Sequence, residues 1–237
     1  MESAGDDGAG EVRTHKLMDA ALHARIQDGT SSAFHPAPCS PSSVAVLFVR
    51  ADSIYHTMDV DAWDAERDAT KYQGPASIVA HPPCRSWGRL RENSKPRPGE
   101  KELGPWAVEQ VRKWGGVLEH PRASSLWPHC NLPRPGQGPD EFGGFALDVD
   151  QHWWGHRAQK RTWLYVCGCR PADVPPMPIT LTRAPCVITN AHGLRAGMPG
   201  YRKEVTKRER EATPPALAAW LVRLAEICRG NTEASRG

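Results

Sequence analysis

Six consecutive apolar residues, Val44-Ala45-Val46-Leu47-Phe48-Val49, constrain the fold of this chain more than any other segment. A run of strand length with no polar residue has no face to offer to water. It suits a strand covered on both sides, as in a parallel sheet. Shorter strand candidates follow at 60–63, ending at Asp64, and at 77–80. The second runs straight into His81-Pro82-Pro83-Cys84, where the prolines stop the strand and throw Cys84 into a turn.

Between 102 and 114, Leu103, Trp106, Ala107, Gln110, Val111 and Trp114 form a helical stripe that Gly115-Gly116 closes. Val117-Leu118 then starts a short strand delivering Glu119-His120-Pro121 to its carboxyl end. Another strand is predicted over 161–167. Thr213-Pro214-Pro215 opens a last helix with Leu217, Trp220, Leu221, Leu224 and Cys228 on one face. Strands alternating with helices predict an α/β fold: an open, mostly parallel, Rossmann-like sheet flanked by helices, with ligands at the carboxyl ends of the strands.

The 237 residues, 39% of them apolar, suffice for one domain, expected over 44–229. Residues 1–43 read as a flexible tail and linker with a loosely attached helix at 12–27, and 230–237 as a C-terminal tail. Thirty basic residues nearly balance twenty-seven acidic ones, so charge alone names no partner. No run approaches the roughly 18 apolar residues that span a bilayer, and no secretory leader opens the chain, so a cytoplasmic protein is expected. Seven cysteines without a repeated C-x-x-C pair argue against a disulfide framework and a zinc module. Cys167-Gly168-Cys169 ends an apolar run and reads as a buried strand rather than a metal site.

Cys84 and Glu119 both stand at strand ends, across one helical crossover, so their side chains are expected to converge. Such a pair suits chemistry at a pyrimidine ring. Carbon 5 of cytosine is a poor nucleophile until a thiolate adds at carbon 6, and an acidic group at ring nitrogen 3 assists that addition.

The order of several segments resembles the blocks of the DNA cytosine carbon-5 methyltransferase family. Ala80-His81-Pro82-Pro83-Cys84 is similar to the Pro-Cys nucleophile block, and Val117-Leu118-Glu119-His120-Pro121 to the Glu-Asn-Val block. Gln159-Lys160-Arg161-Thr162-Trp163 is similar to the Gln-x-Arg-x-Arg block, and 205–210 and 214–218 to the closing blocks. The resemblance spans about 44–228. It implies Cys84 as nucleophile, Glu119 as base-binding acid and Arg161 with Gln159 as active-site supports, while Pro83, Trp163 and, from the basic loop, Arg85, Arg89 and Arg91 are the other candidates on the substrate side. It also implies DNA as partner and S-adenosylmethionine as methyl donor, with Phe48, Asp52 and Asp64 placed to hold it. Three departures stand out. Trp163 replaces the block's second arginine, Arg85 rather than glutamine follows the nucleophile, and Phe48 leads into Val49-Arg50-Ala51-Asp52 instead of a Phe-x-Gly-x-Gly turn. Only 168–204 remain for a target-recognition region, and the basic loop at 85–101 offers phosphate contacts in its place. A trimmed enzyme of this kind suits a bacteriophage or mobile element acting in a bacterial cytoplasm.

Two other functions compete. One keeps the addition to carbon 6 but changes the donor, or the substrate to a free nucleotide, which the missing glycine turn favours. The other is a catalytically silent relative that binds DNA through the basic loop and the tryptophans, including Trp153 and Trp154, and it gives no reason for both Cys84 and Glu119. A zinc deaminase is excluded because Pro83-Cys84-Arg85-Ser86-Trp87 lacks the second cysteine of such a site.

Overall fold

The computed structural model describes residues 44–89, 91–190 and 193–234, with 229–234 described by their backbone alone. The tail, linker and helix expected within 1–43 lie outside those residues, as does the C-terminal tail beyond 234. Among those residues nine strands follow one another: β1 (Val44–Leu47), β2 (Asp61–Trp63), β3 (Ser77–Ala80), β4 (Gly116–Pro121), β5 (Phe145–Asp150), β6 (Ala158–Gln159), β7 (Arg161–Cys167), β8 (Cys186–Val187) and β9 (Lys203–Glu204). Among the described residues four α-helices accompany them: α1 (Leu103–Trp114), α2 (Leu126–His129), α3 (Lys207–Glu211) and α4 (Pro215–Ala234).

The main sheet has six strands in the order β2-β1-β3-β4-β7-β5. β2, β1, β3 and β4 are parallel, whereas β7 runs antiparallel to both β4 and β5. The chain is therefore α/β with a mixed, mostly parallel sheet. A separate three-stranded parallel sheet, β6-β8-β9, lies beside it. Neither β5 nor this small sheet was expected from the pattern, because β5 carries Asp148 and Asp150 among its apolar residues and the small sheet's strands are two residues long.

Alternation along the strands builds two cores. Val44, Val46, Val79, Val117 and Leu164 pack with Leu217, Leu221 and Leu224 of α4 on one face. Ala45, Leu47, Ile78, Leu118 and Tyr165 pack with Ala107, Val108 and Val111 of α1 and with Leu126 and Trp127 of α2 on the other. Leu217, Leu221 and Leu224 are 0% exposed. Each contributes about 1.5–3 kcal/mol by leaving water. The two cores also separate Cys167 from Cys169, one on each face, so the pair offers no shared ligand position.

β1 ends two residues earlier than its apolar run. Phe48 takes φ 64°, a left-handed conformation that a bulky side chain adopts only when held there. What holds it is packing: its ring meets Trp106 edge-on at 5.9 Å, and the Val49 N–H donates to the Trp63 carbonyl at 2.9 Å. α4 continues to Ala234, past the boundary expected at 229. Among the described residues, no helix is long and apolar enough to cross a membrane.

The Gly115-Gly116 pair, read above as a helix stop, has two separate tasks. Gly115 caps α1 at φ 78°, its N–H donating to the Val111 carbonyl at 2.9 Å. Gly116 already belongs to β4, at φ 122°, and a Cβ there would lie 2.0 Å from the Ile78 carbonyl oxygen of β3. Replacing Gly116 by alanine is expected to cost more than about 4 kcal/mol, since neither the backbone of β3 nor the glycine's conformation can give. Urea unfolding of the variant measures it, and a loss below about 1 kcal/mol contradicts the close approach.

Candidate active site

β3 and β4 are neighbours, with Ile78 opposite Gly116, Val79 opposite Val117 and Ala80 opposite Leu118. Because both run the same way, the Pro82-Pro83-Cys84 turn and the Glu119-His120 end of β4 emerge at one edge of the sheet. Pro83 is half-buried, and Cys84 is exposed at the tip of the turn. The Cys84 carbonyl accepts the N–H groups of Trp87 at 3.1 Å and Gly88 at 2.7 Å, which winds the chain back toward the protein. β4 is longer than the short strand expected, so Glu119 lies inside it, opposite Leu164 of β7. Its backbone is thereby fixed by pairing on the β7 side.

The Glu119 carboxylate is 13% exposed and is held from two directions. Its Oε2 lies 3.0 Å from His81 Nδ1, and His81 Nε2 lies 2.9 Å from the Tyr55 hydroxyl. The consistent tautomer has Nδ1–H donating to Glu119 and Nε2 accepting from Tyr55. Gln151 Nε2, on the turn after β5, donates to Glu119 Oε1 at 2.9 Å and to Thr162 Oγ1 at 3.0 Å. Burial works to raise the Glu119 pKa, but the His81 hydrogen bond and the Lys160 ammonium, joined by His81 and His120 where acid protonates them, together outweigh it. They hold it at about 2. The site therefore presents an ionised carboxylate.

Lys160, which the sequence reading passed over between Gln159 and Arg161, supplies the site's cation. Its backbone N–H donates to Asp150 Oδ1 at 3.0 Å, its carbonyl accepts the Gln151 N–H at 3.1 Å, and its ammonium donates to the Ala212 carbonyl at the end of α3 at 3.2 Å. Burial lowers the Lys160 pKa, opposed by the negative charges of Glu119, Cys84 and Glu211 within electrostatic reach. The Cys84 thiol feels the same groups. Partial desolvation of the sulfur raises its pKa, Glu119 adds to that, and Lys160 pulls against both. Strand alternation was the available signal: where Arg161 faces one side of β7, Lys160 and Thr162 face the other.

The remaining predicted residues are placed elsewhere. Arg161 donates to Asp148 Oδ2 at 2.9 Å, beside Arg122 at 3.3 Å from the same oxygen, on the face of β7 opposite Glu119. Trp163 also faces away from Glu119 and packs on Trp127 with ring centres 5.5 Å apart, filling the second core. Gln159, in β6, is exposed beside a groove described below. Arg85 is a strut of the basic loop: its Nε and Nη2 clamp both oxygens of Glu100, at 2.7 and 2.5 Å, and Glu100 is 3% exposed. Arg89 and Arg91 are exposed, and Arg91 lies 3.8 Å from Glu92. The loop's free positive charge is thus smaller than its sequence suggests.

The carboxyl end of β1 does not fit S-adenosylmethionine. Val49 (6% exposed) and Tyr55 (1%) fill the space under the turn with side chains where a glycine would let a ligand approach the backbone. Asp52 is engaged by Arg50 at 3.0 Å and Arg208 at 3.1 Å, while Arg50 also holds Glu211 at 2.7 Å, tying the turn to α3. The Arg50 hydrogen bond lowers the Asp52 pKa against slight desolvation. Asp64 caps its own turn, accepting the N–H groups of Glu66 and Arg67 at 3.0 and 3.1 Å. Phe48 is committed to Trp106.

His120, next in the strand, is 0% exposed on the face opposite Glu119. Burial depresses its pKa to about 4 against the opposing pull of Glu119, so it is neutral near pH 7. Both shifts are in the acid-labile direction. His120 protonates more readily unfolded, so stability falls as pH drops from about 6.5 through about 4. The depressed Glu119 carboxyl adds stability above its ordinary value of 4.5 that is lost as pH falls through about 2. The Glu119 contribution is about 3 kcal/mol. Urea midpoints should fall in both windows, and a flat profile between pH 6.5 and 3 would contradict the buried pair.

Comparison of the chain with protein-family models, with curated proteins and with solved structures finds no match.

Proposed function

We propose that this chain is a cytosine carbon-5 modifying enzyme acting on DNA, a compact relative of the methyltransferases it resembles, with a Rossmann-like sheet and a cytoplasmic site of action. The observation that supports this best is the pairing of an exposed Cys84, in the turn after β3, with an ionised, doubly held Glu119 in the adjacent parallel strand β4, the Lys160 ammonium lying within electrostatic reach of both. A binding module has no use for a buried carboxylate maintained beside a thiol.

In this mechanism the Cys84 thiol gives its proton to solvent, and Lys160 stabilises the thiolate as it forms. The sulfur adds to carbon 6 of the base, and the electron pair of the broken carbon 5–carbon 6 π bond moves toward carbon 5 and the ring. Glu119 accepts a hydrogen bond from the exocyclic amine and, as negative charge grows on ring nitrogen 3, carries a proton from solvent to it. Carbon 5 is then nucleophilic. After it takes an electrophile, loss of the carbon 5 hydrogen as a proton to solvent, departure of the thiolate from carbon 6 and return of the nitrogen 3 proton through Glu119 restore the aromatic ring. His81 and Gln151 keep the carboxylate aimed. The family's donor is S-adenosylmethionine, which the turn after β1 does not fit, so no step here is routed through it.

Exchange of hydrogen at carbon 5 needs the addition and its reversal and no donor at all. The test is release of tritium into water from DNA carrying cytosine tritiated at carbon 5. Release that depends on the protein supports the reading, and its absence from single- and double-stranded DNA alike sinks it. The closed turn after β1 favours a second reading, the same addition on a free nucleotide with another donor. Tritiated dCMP exchanging in place of DNA would establish that one.

A further inference from the structure

The side of the 159–162 segment that turns away from Cys84 lines a groove of about 370 Å³. Lys160 and Thr162 face the thiol and Glu119, while Gln159 and Arg161 face this groove. The turn after β5 divides in the same way. Gln151 reaches Glu119, whereas Asp150, His152 and Trp153 line the groove. The far wall is the loop ahead of β8, with Thr180, Thr182 and Arg183, together with Arg202 ahead of β9.

Its charge is one-sided. Arg183, Arg202 and Arg161 line it, Arg161 sharing the Asp148 carboxylate with Arg122, and the one carboxylate in the lining, Asp150, already accepts the backbone N–H groups of His152 and Lys160 at its Oδ1. Arg202 is anchored by donating to the Ala184 carbonyl at 2.8 Å, and its Nε is buried with no partner. Hydrogen bonds tie the two walls together: His152 bridges the His156 carbonyl at 2.9 Å and Thr182 Oγ1 at 3.2 Å, and the Thr180 and Thr182 hydroxyls lie 3.0 Å apart. An aromatic ring, Trp153, and the fully exposed Leu181 add apolar surface to this cationic floor.

We infer that this groove binds a phosphorylated nucleotide next to the one held at Cys84, the guanidiniums taking the phosphate and Trp153 the face of the base. The choice of a nucleotide rests on the function proposed above. Volume and chemistry agree with it: the cavity is of ordinary ligand size, and three guanidiniums with one aromatic ring match a phosphate and a base rather than an apolar ligand. The phosphate can belong to a DNA strand or to a free mononucleotide.

The two sources separate in one experiment. Binding of a fluorescein-labelled, mixed-sequence single-stranded oligonucleotide is followed by anisotropy at several salt concentrations, and binding of dCMP by calorimetry. Arg183→Glu is the principal variant, because Arg183 is exposed. Arg183→Lys tests charge retention, and Arg223→Glu, on the exposed side of α4, makes the same change in net charge elsewhere. Arg183→Glu is expected to weaken binding about tenfold or more and to reduce the salt slope by about one, with Arg183→Lys staying within about threefold of the parent. Weakening for the oligonucleotide alone assigns the groove to a DNA strand, and weakening for dCMP as well assigns it to a mononucleotide. Unchanged binding of both in Arg183→Glu, or equal weakening in Arg223→Glu, overturns the inference. Binding requires no covalent step, so loss of tritium release with groove binding intact removes the covalent reading alone.

Discussion

Cys84→Ser abolishes tritium release from carbon 5 of cytosine, by more than about a thousandfold, the scale on which a covalent nucleophile is missed. A serine hydroxyl in the same turn has a far higher pKa than a thiol, and neither Lys160 nor solvent can make enough alkoxide to add to carbon 6. The fold should not notice. The residue is exposed, and the turn is wound by the Cys84 carbonyl rather than by its side chain. An unchanged melting temperature with lost exchange is therefore the expected pair of results. Exchange that survives in the serine variant means that another group, or none, adds to the base.

Glu119→Gln is the second large effect, expected to slow exchange by about 10²–10⁴-fold, the range of a lost acid–base group. The amide is nearly isosteric, and Gln151 still finds an oxygen to donate to. His81 then accepts at Nδ1 and donates from Nε2 to the Tyr55 oxygen, so both hydrogen bonds described for that ring survive in reversed sense. What the amide cannot do is carry a proton to ring nitrogen 3. The same substitution should remove the acid-side loss of stability below pH 4.5 and carry the His120 loss, which begins near 6.5, further to the acid side, because the Glu119 charge no longer holds that pKa up. A variant that exchanges at the parent rate makes Glu119 a structural acid.

Sequence made the framework legible where one side chain period dominated. β3 at 77–80 and β7 at 161–167, covered on both faces, and α1, buried along its stripe, all stand where the pattern put them. β5 escaped because Asp148 and Asp150 interrupt its apolar residues, both committed to local partners: Asp148 to two arginines and Asp150 to two backbone N–H groups. In the site, Cys84 and Glu119 could be named from strand ends alone. Their companions His81, Tyr55, Gln151 and Lys160 come from four different segments, and only the folded sheet brings them together. Arg85 shows the opposite error, since a linear stretch of basic residues does not reveal that one of them is spent on a buried Glu100.

The alternation at 159–162 makes the length of that segment as exacting as its composition. Deleting a single residue between the turn after β5 and the start of β7 would exchange the two addresses, sending a guanidinium toward the thiol and the ammonium into the groove. Natural variation there should therefore tolerate exchanges of side chain at Gln159 far better than any change in count. An engineer wishing to alter what the groove accepts can work at every second position without disturbing the chemistry behind it.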